Sequence, residues 1–280
     1  MLGYRHAFHA GNHADVLKHL ILYHCLRYLT QKPKPLLYVD THAGAGAYRL
    51  AEGFADKNRE WETGIERLSG HNLEKSMPAS VRDYLCFTAD YGLRHPGEFP
   101  GSPAIAASLL RPEDRLILNE LHPADAAELQ SCFSGDHRAE VRKGDGFAVL
   151  RAVLPPPSRR GIVLIDPPYE LASEYERVLD ALAEALERFE TGTFLVWYPL
   201  LGRPEARALK ARLSALTARP RIIAELQVRD SAPEDRGLAG SGIFVINPPW
   251  ILEAELRSAL PCLAETLGQD PSASGRLECP

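Results

Sequence analysis

Residues 162–169 read Ile-Val-Leu-Ile-Asp-Pro-Pro-Tyr, and this stretch indicates both the fold and the chemistry of the chain. Four apolar residues predict a buried strand, which ends at an acid followed by two prolines and an aromatic ring. Because proline fixes φ and lacks a backbone N–H, the segment can neither continue as a strand nor start a helix. The stretch therefore predicts a stiff turn that presents Asp166, the carbonyl of Pro167 and the ring of Tyr169.

A pair of acceptors beside a stacking face is suited to holding a planar base that bears an exocyclic amine. The tetrapeptide Asp-Pro-Pro-Tyr resembles the motif of methyltransferases that methylate such an amino nitrogen, for example N6 of adenine. A strand followed by a proline-rich turn would produce the same four residues. The functional interpretation therefore depends on the rest of the chain.

Strand candidates recur along the chain with helical stretches between them. Residues 173–189 place apolar side chains on one face of a helix, and 204–216 predict another helix. Because several strand candidates are continuous apolar runs, we expect mostly parallel strands in a doubly wound α/β sheet. The seven candidates are residues 36–40, 115–120, 139–142, 161–166, 193–197, 222–228 and 242–246.

One connection is too long for a simple crossover, since 74 residues separate the first two strand candidates. The excess contains many apolar residues, so it predicts a small helical subdomain inserted at about 48–99. The expected core then comprises residues 1–47 and 100–267. The last thirteen residues, 268–280, predict a disordered tail.

Composition is typical of a globular protein of the reducing cytoplasm. Hydrophobic residues make up 45% of the 280-residue chain, yet no apolar run reaches the ~20 residues of a membrane span. The five cysteines are scattered without a C-x-x-C pair, which argues against disulfides and a zinc site. A net charge of −5 disfavours a protein that coats long stretches of nucleic acid, so any such contact should be local.

The histidine-rich start raises the question of a metal site. His6, His9 and His13 have spacings that could place ligands on one helix. However, Gly11-Asn12 interrupts the helix there, and no cysteine or pair of carboxylates lies nearby in the sequence. We expect no metal, and we interpret these histidines as capping and hydrogen-bonding residues.

Residues 36–46 read Leu-Leu-Tyr-Val-Asp-Thr-His-Ala-Gly-Ala-Gly, an apolar strand that ends in an acid and enters a loop of small residues. Gly44 and Gly46 would let the backbone approach a ligand that a Cβ would block. The spacing Asp-x-x-x-Gly-x-Gly is typical of S-adenosylmethionine enzymes, although a tight strand-to-helix turn would also explain it. A dinucleotide-dependent oxidoreductase is disfavoured, because Arg49 replaces the third glycine of G-x-G-x-x-G.

Acidic residues follow the next two strand candidates. In doubly wound folds an acid at the tip of the second strand binds ribose hydroxyls, a role that we assign to Glu120. After the third strand, Asp145 could bind the amine of the cofactor's adenine, while Gly146 lets the backbone come near. Each acid alone could be a surface residue, but together they follow successive strands, where open sheets bind their ligands.

A second Pro-Pro motif, Asn247-Pro-Pro-Trp, follows the last strand candidate. The strand before Asp166 should lie beside the first strand at the topological switch point, next to the transferable methyl group. Asn247 should lie well across the sheet. We therefore predict that Asp166 is catalytic and that Asn247 is structural.

These motifs, together with Pro-Gly-Ser-Pro at 100–103, Glu-Leu-His-Pro at 120–123 and Ser-Arg-Arg-Gly at 158–161, resemble the bacterial 23S ribosomal RNA (adenine-N6)-methyltransferase J family over residues 1–261. The resemblance implies a Rossmann-like core with a seven-stranded, mostly parallel sheet and S-adenosylmethionine as methyl donor. It also implies a monomer that acts on protein-free 23S ribosomal RNA. The cofactor-binding residues that it implies are Lys18, His19, His42, Ser102, Glu120, Asp145, Gly146 and Asp166, and Tyr4 and His6 would contact the RNA.

The expected chemistry is electrostatic and does not need a general base. Asp166 and the carbonyl of Pro167 would accept the two N–H bonds of the target amine and stabilise the positive charge that develops on it. Tyr169 would stack on a single-stranded or flipped adenine. Three alternatives stay open: a DNA adenine-N6 methyltransferase, a protein glutamine-N5 methyltransferase, and a catalytically silent RNA-binding or assembly protein on the same fold.

Overall fold

A computed structural model describes residues 5–70, 77–230 and 238–280 of the chain. Within these ranges the protein is an α/β fold in which the helices cover both faces of one large sheet. The strands are β1 (Leu37–Asp40), β2 (Ala47–Tyr48), β3 (Phe99–Pro100), β4 (Arg115–Glu120), β5 (Ala139–Lys143), β6 (Gly161–Ile165), β7 (Thr193–Pro199), β8 (Arg221–Gln227), β9 (Gly240–Ile246) and β10 (Ser274–Glu278).

The helices alternate with these strands through most of the chain. They are α1 (His13–Leu29), α2 (Ala55–Asn58), α3 (Arg67–Gly70), α4 (Ala79–Arg94), α5 (Ser102–Leu109), α6 (Pro123–Cys132), α7 (Gly146–Val153), α8 (Ala172–Arg188), α9 (Pro204–Ala215) and α10 (Leu252–Leu267), with a 3-10 turn at His6–Phe8 and a π-helical turn at Glu62–Glu66. Among the residues described, no helix is long and apolar enough to cross a membrane.

The large sheet has the strand order β10-β8-β9-β7-β6-β1-β4-β5. Strands β5, β4, β1, β6 and β7 run parallel, and β1 lies at the switch point between β4 and β6. Strand β9 is antiparallel to both β7 and β8. The carboxyl ends of β1, β4, β5 and β6 therefore meet at one edge, whereas β9 ends at the opposite edge. The expected α/β fold is confirmed.

Side chains alternate between the two faces of the sheet, as the period of a strand requires. Ile162 and Leu164 of β6 pack with α1, α4, α5 and α10 on one face. Val163 and Ile165 pack with α7, α8 and α9 on the other. Each such side chain contributes roughly 1.5–3 kcal/mol through burial, which explains why the parallel strands are continuous apolar runs.

In its described residues, 48–70 and 77–99, the long insertion is mainly helical. Its two ends meet, because β2 and β3 pair with Tyr48 opposite Phe99. Val81 and Tyr84 of α4 belong to the same hydrophobic cluster as α1 and the sheet. The segment therefore shares the main core of the protein, and its description as a separate subdomain at 48–99 stays a prediction.

The C-terminal residues 268–280 contain a strand, so the prediction of a disordered tail is wrong. Strand β10 pairs with β8 from Ser274 opposite Gln227 to Glu278 opposite Ile223, which adds an eighth strand to the seven expected. The pairing covers the edge of β8, whose backbone N–H and C=O groups would otherwise lack partners. A short polar edge strand carries little apolar alternation, and for this reason the sequence pattern does not reveal it.

Candidate active site

A cavity of about 330 Å³ opens at the carboxyl ends of β1, β4, β5 and β6. Lys18, His19 and Ser102 are buried and are not part of its lining. Tyr4, which was expected to contact RNA, lies outside the described residues. The structure brings six predicted site residues together around the cavity, namely His6, His42, Glu120, Asp145, Gly146 and Asp166.

Asp166 follows β6 and lines this cavity. Lys18 Nζ donates to Asp166 Oδ2 at 2.6 Å and lies 2.8 Å from Asp15 Oδ1. Burial by itself would lower the pKa of Lys18, but the two carboxylates raise it well above its usual value, so the ammonium stays charged. Within the described ranges, Asp166 Oδ1 accepts no hydrogen bond. One oxygen of Asp166 is therefore held, and the other can serve a ligand.

Asp15 also belongs to this arrangement, although no sequence motif singles it out. It lies in the first turn of α1 and is buried. Its Oδ2 accepts a hydrogen bond from Gly11 N at 2.9 Å and lies 3.0 Å from His6 Nε2. Burial would raise the pKa of Asp15, but the charges of His6 and Lys18 hold it well below the usual value. The sequence feature that could have indicated Asp15 is its position three residues before Lys18, which places both side chains on one face of a helix.

His19 and His42 are neutral, because burial lowers the pKa of His19 to about 3 and that of His42 to about 4. His42 Nδ1 lies 2.8 Å from Thr41 Oγ1, and its ring meets the edge of the Phe147 ring at 5.1 Å between centroids. The ring of His19 lies 5.9 Å from that of Phe99. His42 can therefore form a wall of a cofactor pocket without adding positive charge, and the buried His19 adds none either.

Ser102 acts on the site through a buried acid at the end of β1. Ser102 Oγ and Tyr38 Oη donate to Asp40 Oδ2 at 2.7 and 2.6 Å. Burial raises the pKa of Asp40 to about 6, although these two hydrogen bonds act in the opposite direction. The bond from Ser102 ties the first residue of α5 to β1 and to the loop that follows it.

Glu120 holds the small-residue loop against the cavity wall. Its Oε2 accepts from Gly44 N at 2.8 Å and its Oε1 accepts from His122 N at 2.7 Å. Burial raises the pKa of Glu120. A Cβ at Gly44 would lie 2.1 Å from Tyr48 Oη, so packing within the protein also requires glycine at this position.

Asp145 and Gly146 form the start of α7. Asp145 Oδ1 caps the helix by accepting from Phe147 N at 3.1 Å, and its Oδ2 pairs with Arg177 Nη2 at 2.7 Å. The Arg177 guanidinium lies 4.6 Å above the Phe147 ring. A Cβ at Gly146 would lie 2.0 Å from Thr41 O, so only glycine lets α7 begin against the loop after β1.

Tyr169 does not present a free face to the cavity, so the prediction of an exposed stacking ring is wrong. The residue is 2% exposed, and its ring packs on those of Tyr175 and Trp197. Its hydroxyl donates to Trp197 O at 2.8 Å, since a buried tyrosine needs a partner for its polar tip. Pro167 is buried, and Pro168 lines the cavity. Tyr169 therefore anchors the turn in the core.

Asn247 lies at the opposite edge of the sheet from Asp166, because β9 runs antiparallel to β7. Its Nδ2 donates to Glu190 O at 2.9 Å and to Gly192 O at 2.7 Å. These bonds tie the chain after β9 to the turn before β7. The geometry agrees with a structural role.

Comparison with known proteins connects this geometry to a family. A family model described as ribosomal RNA large subunit methyltransferase D, RlmJ, matches residues 33–278. The chain belongs to this family. Two relatives carry the name ribosomal RNA large subunit methyltransferase J. The one from Haemophilus influenzae is 42% identical over 280 residues, which cover 99% of this chain and 98% of the relative. The one from Escherichia coli is 44% identical over 271 residues, which cover 95% and 94%.

A crystal structure of a Legionella pneumophila protein resembles the RlmJ-family chain in three dimensions. The TM-score is 0.87 at 33% identity, and the match covers 97% of this chain and 98% of that protein. Membership of the RlmJ family confirms the family predicted from the sequence motifs and the methyltransferase class of the enzyme.

Proposed function

We propose that the protein transfers a methyl group from S-adenosylmethionine to the N6 amine of an adenine in 23S ribosomal RNA. The observation that carries this proposal is the position of Asp166, which lines the switch-point cavity while Lys18 holds its Oδ2 at 2.6 Å. Asp-Pro-Pro-Tyr supports an exocyclic amine as the acceptor. Relatives named as ribosomal RNA methyltransferases match over nearly their full length, which supports RNA as the molecule that contains this amine.

The residues around the cavity fit S-adenosylmethionine. Gly44 and Gly146 both line the cavity, and without side chains they let the backbone come close to a bound ligand. Glu120 would hold the ribose hydroxyls and Asp145 the adenine amine, since both follow strands that end at the cavity. His42 would form part of the wall. When bound, the cofactor supplies an electrophilic methyl group on a sulfonium.

Lys18, His19 and Ser102 would support the cofactor pocket as buried residues outside its lining. Their contacts in the structure run to acids rather than into the cavity: Lys18 to Asp166, and Ser102 to Asp40. We therefore propose that they bind the cofactor mainly by fixing the residues that line its pocket.

Asp166 is proposed to activate a weak nucleophile. The lone pair of the adenine amine is delocalised into the ring, so the nitrogen is planar. If Asp166 and the carbonyl of Pro167 accept its two N–H bonds, they favour a tetrahedral nitrogen and stabilise the charge that develops on it. Because Lys18 holds Asp166 in place, this hydrogen bond needs little reorganisation. The methylated amine is acidic and releases its proton readily, so no general base is required.

Contact with RNA is proposed to be local. The target adenine must be single-stranded, looped or flipped, because its N6 atom is inaccessible in a stacked helix. His6, at the cavity, and Tyr4 would touch the RNA beside the target base. The net charge of −5 also favours a small contact area. We propose protein-free 23S ribosomal RNA as the substrate of a monomeric cytoplasmic enzyme.

The test is transfer of labelled methyl from S-adenosylmethionine to protein-free 23S RNA from cells that lack this gene, followed by nucleoside analysis. Label is expected only in N6-methyladenosine. Asp166→Ala should lower kcat by at least about 100-fold, because it removes a preorganised acceptor. Its affinity for S-adenosylmethionine should stay within about threefold of wild type.

Asn247→Ala is the matched control, since Asn247 lies at the opposite edge of the sheet. If it abolished transfer in a folded protein while Asp166→Ala did not, the catalytic assignment would be wrong. Cofactor binding without label in RNA would instead shift the acceptor to DNA adenine or protein glutamine, which are assayed next with the same label.

A further inference from the structure

Asp15 connects the N-terminal segment to Asp166 through a single ammonium group. Lys18 Nζ lies between Asp15 Oδ1, at 2.8 Å, and Asp166 Oδ2, at 2.6 Å. The second oxygen of Asp15 is held by Gly11 N at 2.9 Å and lies 3.0 Å from His6 Nε2. Asp15 is 1% exposed and Lys18 is 3% exposed, so water hardly screens these interactions.

The charges in this arrangement favour the reaction proposed above. The Lys18 ammonium is shared between two carboxylates, so it offsets only part of the charge of Asp166. A positive charge develops on the target nitrogen during transfer, and the negative charge that Asp166 keeps stabilises it. Without the Asp15 carboxylate, Lys18 would cancel the charge of Asp166 and oppose the transition state.

We propose that Asp15 is a positioning residue for methyl transfer. It fixes the Lys18 ammonium and offsets part of its charge. Asp166 thereby keeps a free oxygen and its negative charge for the amine. This inference rests on the proposed function, because Asp166 is the group that would hold the amine. Asp15 does not touch the amine itself. Its effect on the reaction passes through Lys18.

Several other charged or titratable groups share the environment of Lys18, and all are retained in the variants that test the proposal. They are His19 on α1, His6 in the N-terminal segment, Asp40 on β1, Tyr48 on β2, Tyr84 on α4 and Asp166 after β6.

A double-mutant cycle on methyl transfer tests the proposal. Asp15→Asn should lower kcat by about 10-fold or more while the affinity for S-adenosylmethionine changes by less than about threefold. Because Asp15 acts through Lys18, adding Lys18→Met to Asp15→Asn should cost far less than Lys18→Met costs alone. If the effects of the two single substitutions on kcat multiply to within about twofold of the effect of the double variant, the residues act independently and the proposal is overturned.

A second measurement does not depend on the RNA reaction. The pKa of the Lys18 ammonium, followed by NMR of the side-chain nitrogen, should fall in Asp15→Asn because one of two neighbouring anions is removed. Asp56→Asn, which removes an exposed acid of α2, is the matched control and should leave it unchanged. An unaltered pKa of Lys18 in Asp15→Asn would overturn the coupling, even if the wild-type protein methylated no RNA.

Asp15→Glu is the second variant, to be used if Asp15→Asn does not fold. It keeps the negative charge but lengthens the side chain, so it should lower kcat by misplacing Lys18 while the pKa of Lys18 stays high. A folded Asp15→Glu protein with wild-type kcat would show that the place of the carboxylate is unimportant, which contradicts the proposal.

Discussion

Burial of the Asp40 carboxylate makes the stability of the protein depend on pH. Burial raises its pKa from 3.8 to about 6 in the folded state. A raised folded-state pKa means that Asp40 contributes its full stability below about pH 4, and that this contribution is lost as the pH rises through 6. Asp40→Asn cannot ionise, so it escapes this loss. Its free energy of unfolding, relative to that of the wild type, should therefore rise by on the order of 1 kcal/mol between about pH 5 and 7.5.

Urea unfolding at the two pH values measures this difference between Asp40→Asn and wild type. Asp180→Asn, which removes an exposed carboxylate of α8, serves as the control and should show no such gain. A constant difference between Asp40→Asn and the wild type would mean that Asp40 titrates as it does in the unfolded chain.

The burial of the Tyr169 ring leads to a second prediction about a single residue. Tyr169→Phe keeps the ring but leaves Trp197 O without its partner, which should lower the free energy of unfolding by about 1–2 kcal/mol. Tyr169→Leu removes the aromatic face, and because the ring is covered by the protein, KM for RNA should stay within about twofold of wild type in the folded variant. Tyr28→Phe, at a half-buried ring against Trp250, is the stability control for Tyr169→Phe. A clear rise in KM of a folded Tyr169→Leu protein would restore the stacking role.

At the scale of elements, Gly64 allows the insertion to contact the N-terminal segment. Ile65 N donates to Gly11 O at 2.8 Å, and a Cβ at Gly64 would lie 2.1 Å from that oxygen and 2.7 Å from Asn12 Cα. Gly64→Ala must separate the two segments, so it should lower the free energy of unfolding by about 1–3 kcal/mol.

Chemical denaturation of Gly64→Ala beside Gly92→Ala measures this effect. Gly92 lies within α4, where an added Cβ meets no atom within 4 Å among the residues described. Alanine there should stabilise the helix by up to about 1 kcal/mol. Equal stability of the two variants would show that the contact between the insertion and the N-terminal segment is not close-packed.

The whole molecule carries a net charge of −5, which opposes long-range attraction to RNA. Binding through a local contact of about four phosphates should give a slope of roughly −3 in a plot of log affinity against log salt concentration. Fluorescence anisotropy with an RNA fragment measures the slope. A value near −10 would indicate an extended basic surface and would contradict local contact.

The strands and the residues that end them could be predicted from the sequence. Apolar runs identified the parallel strands. Because ligands bind at the carboxyl ends of such strands, Glu120, Asp145 and Asp166 could be expected at one site, and all three line the same cavity. Strand β10 was missed, since its stability comes from pairing with β8 rather than from its own pattern. The inward turn of Tyr169 was missed because a partner such as Trp197 O is not visible in local sequence.

The sequence by itself determined which strands end in functional residues, where the glycine loops lie and that a turn follows Ile165. These features depend on periodicity and on proline chemistry, which act over a few residues. Only the tertiary structure decided which groups meet. Lys18 and Asp166 are 148 residues apart in the chain, yet their side chains lie 2.6 Å apart. A charge that is buried away from water needs an opposite charge beside it. Which partner it has depends on packing, and packing depends on the whole chain.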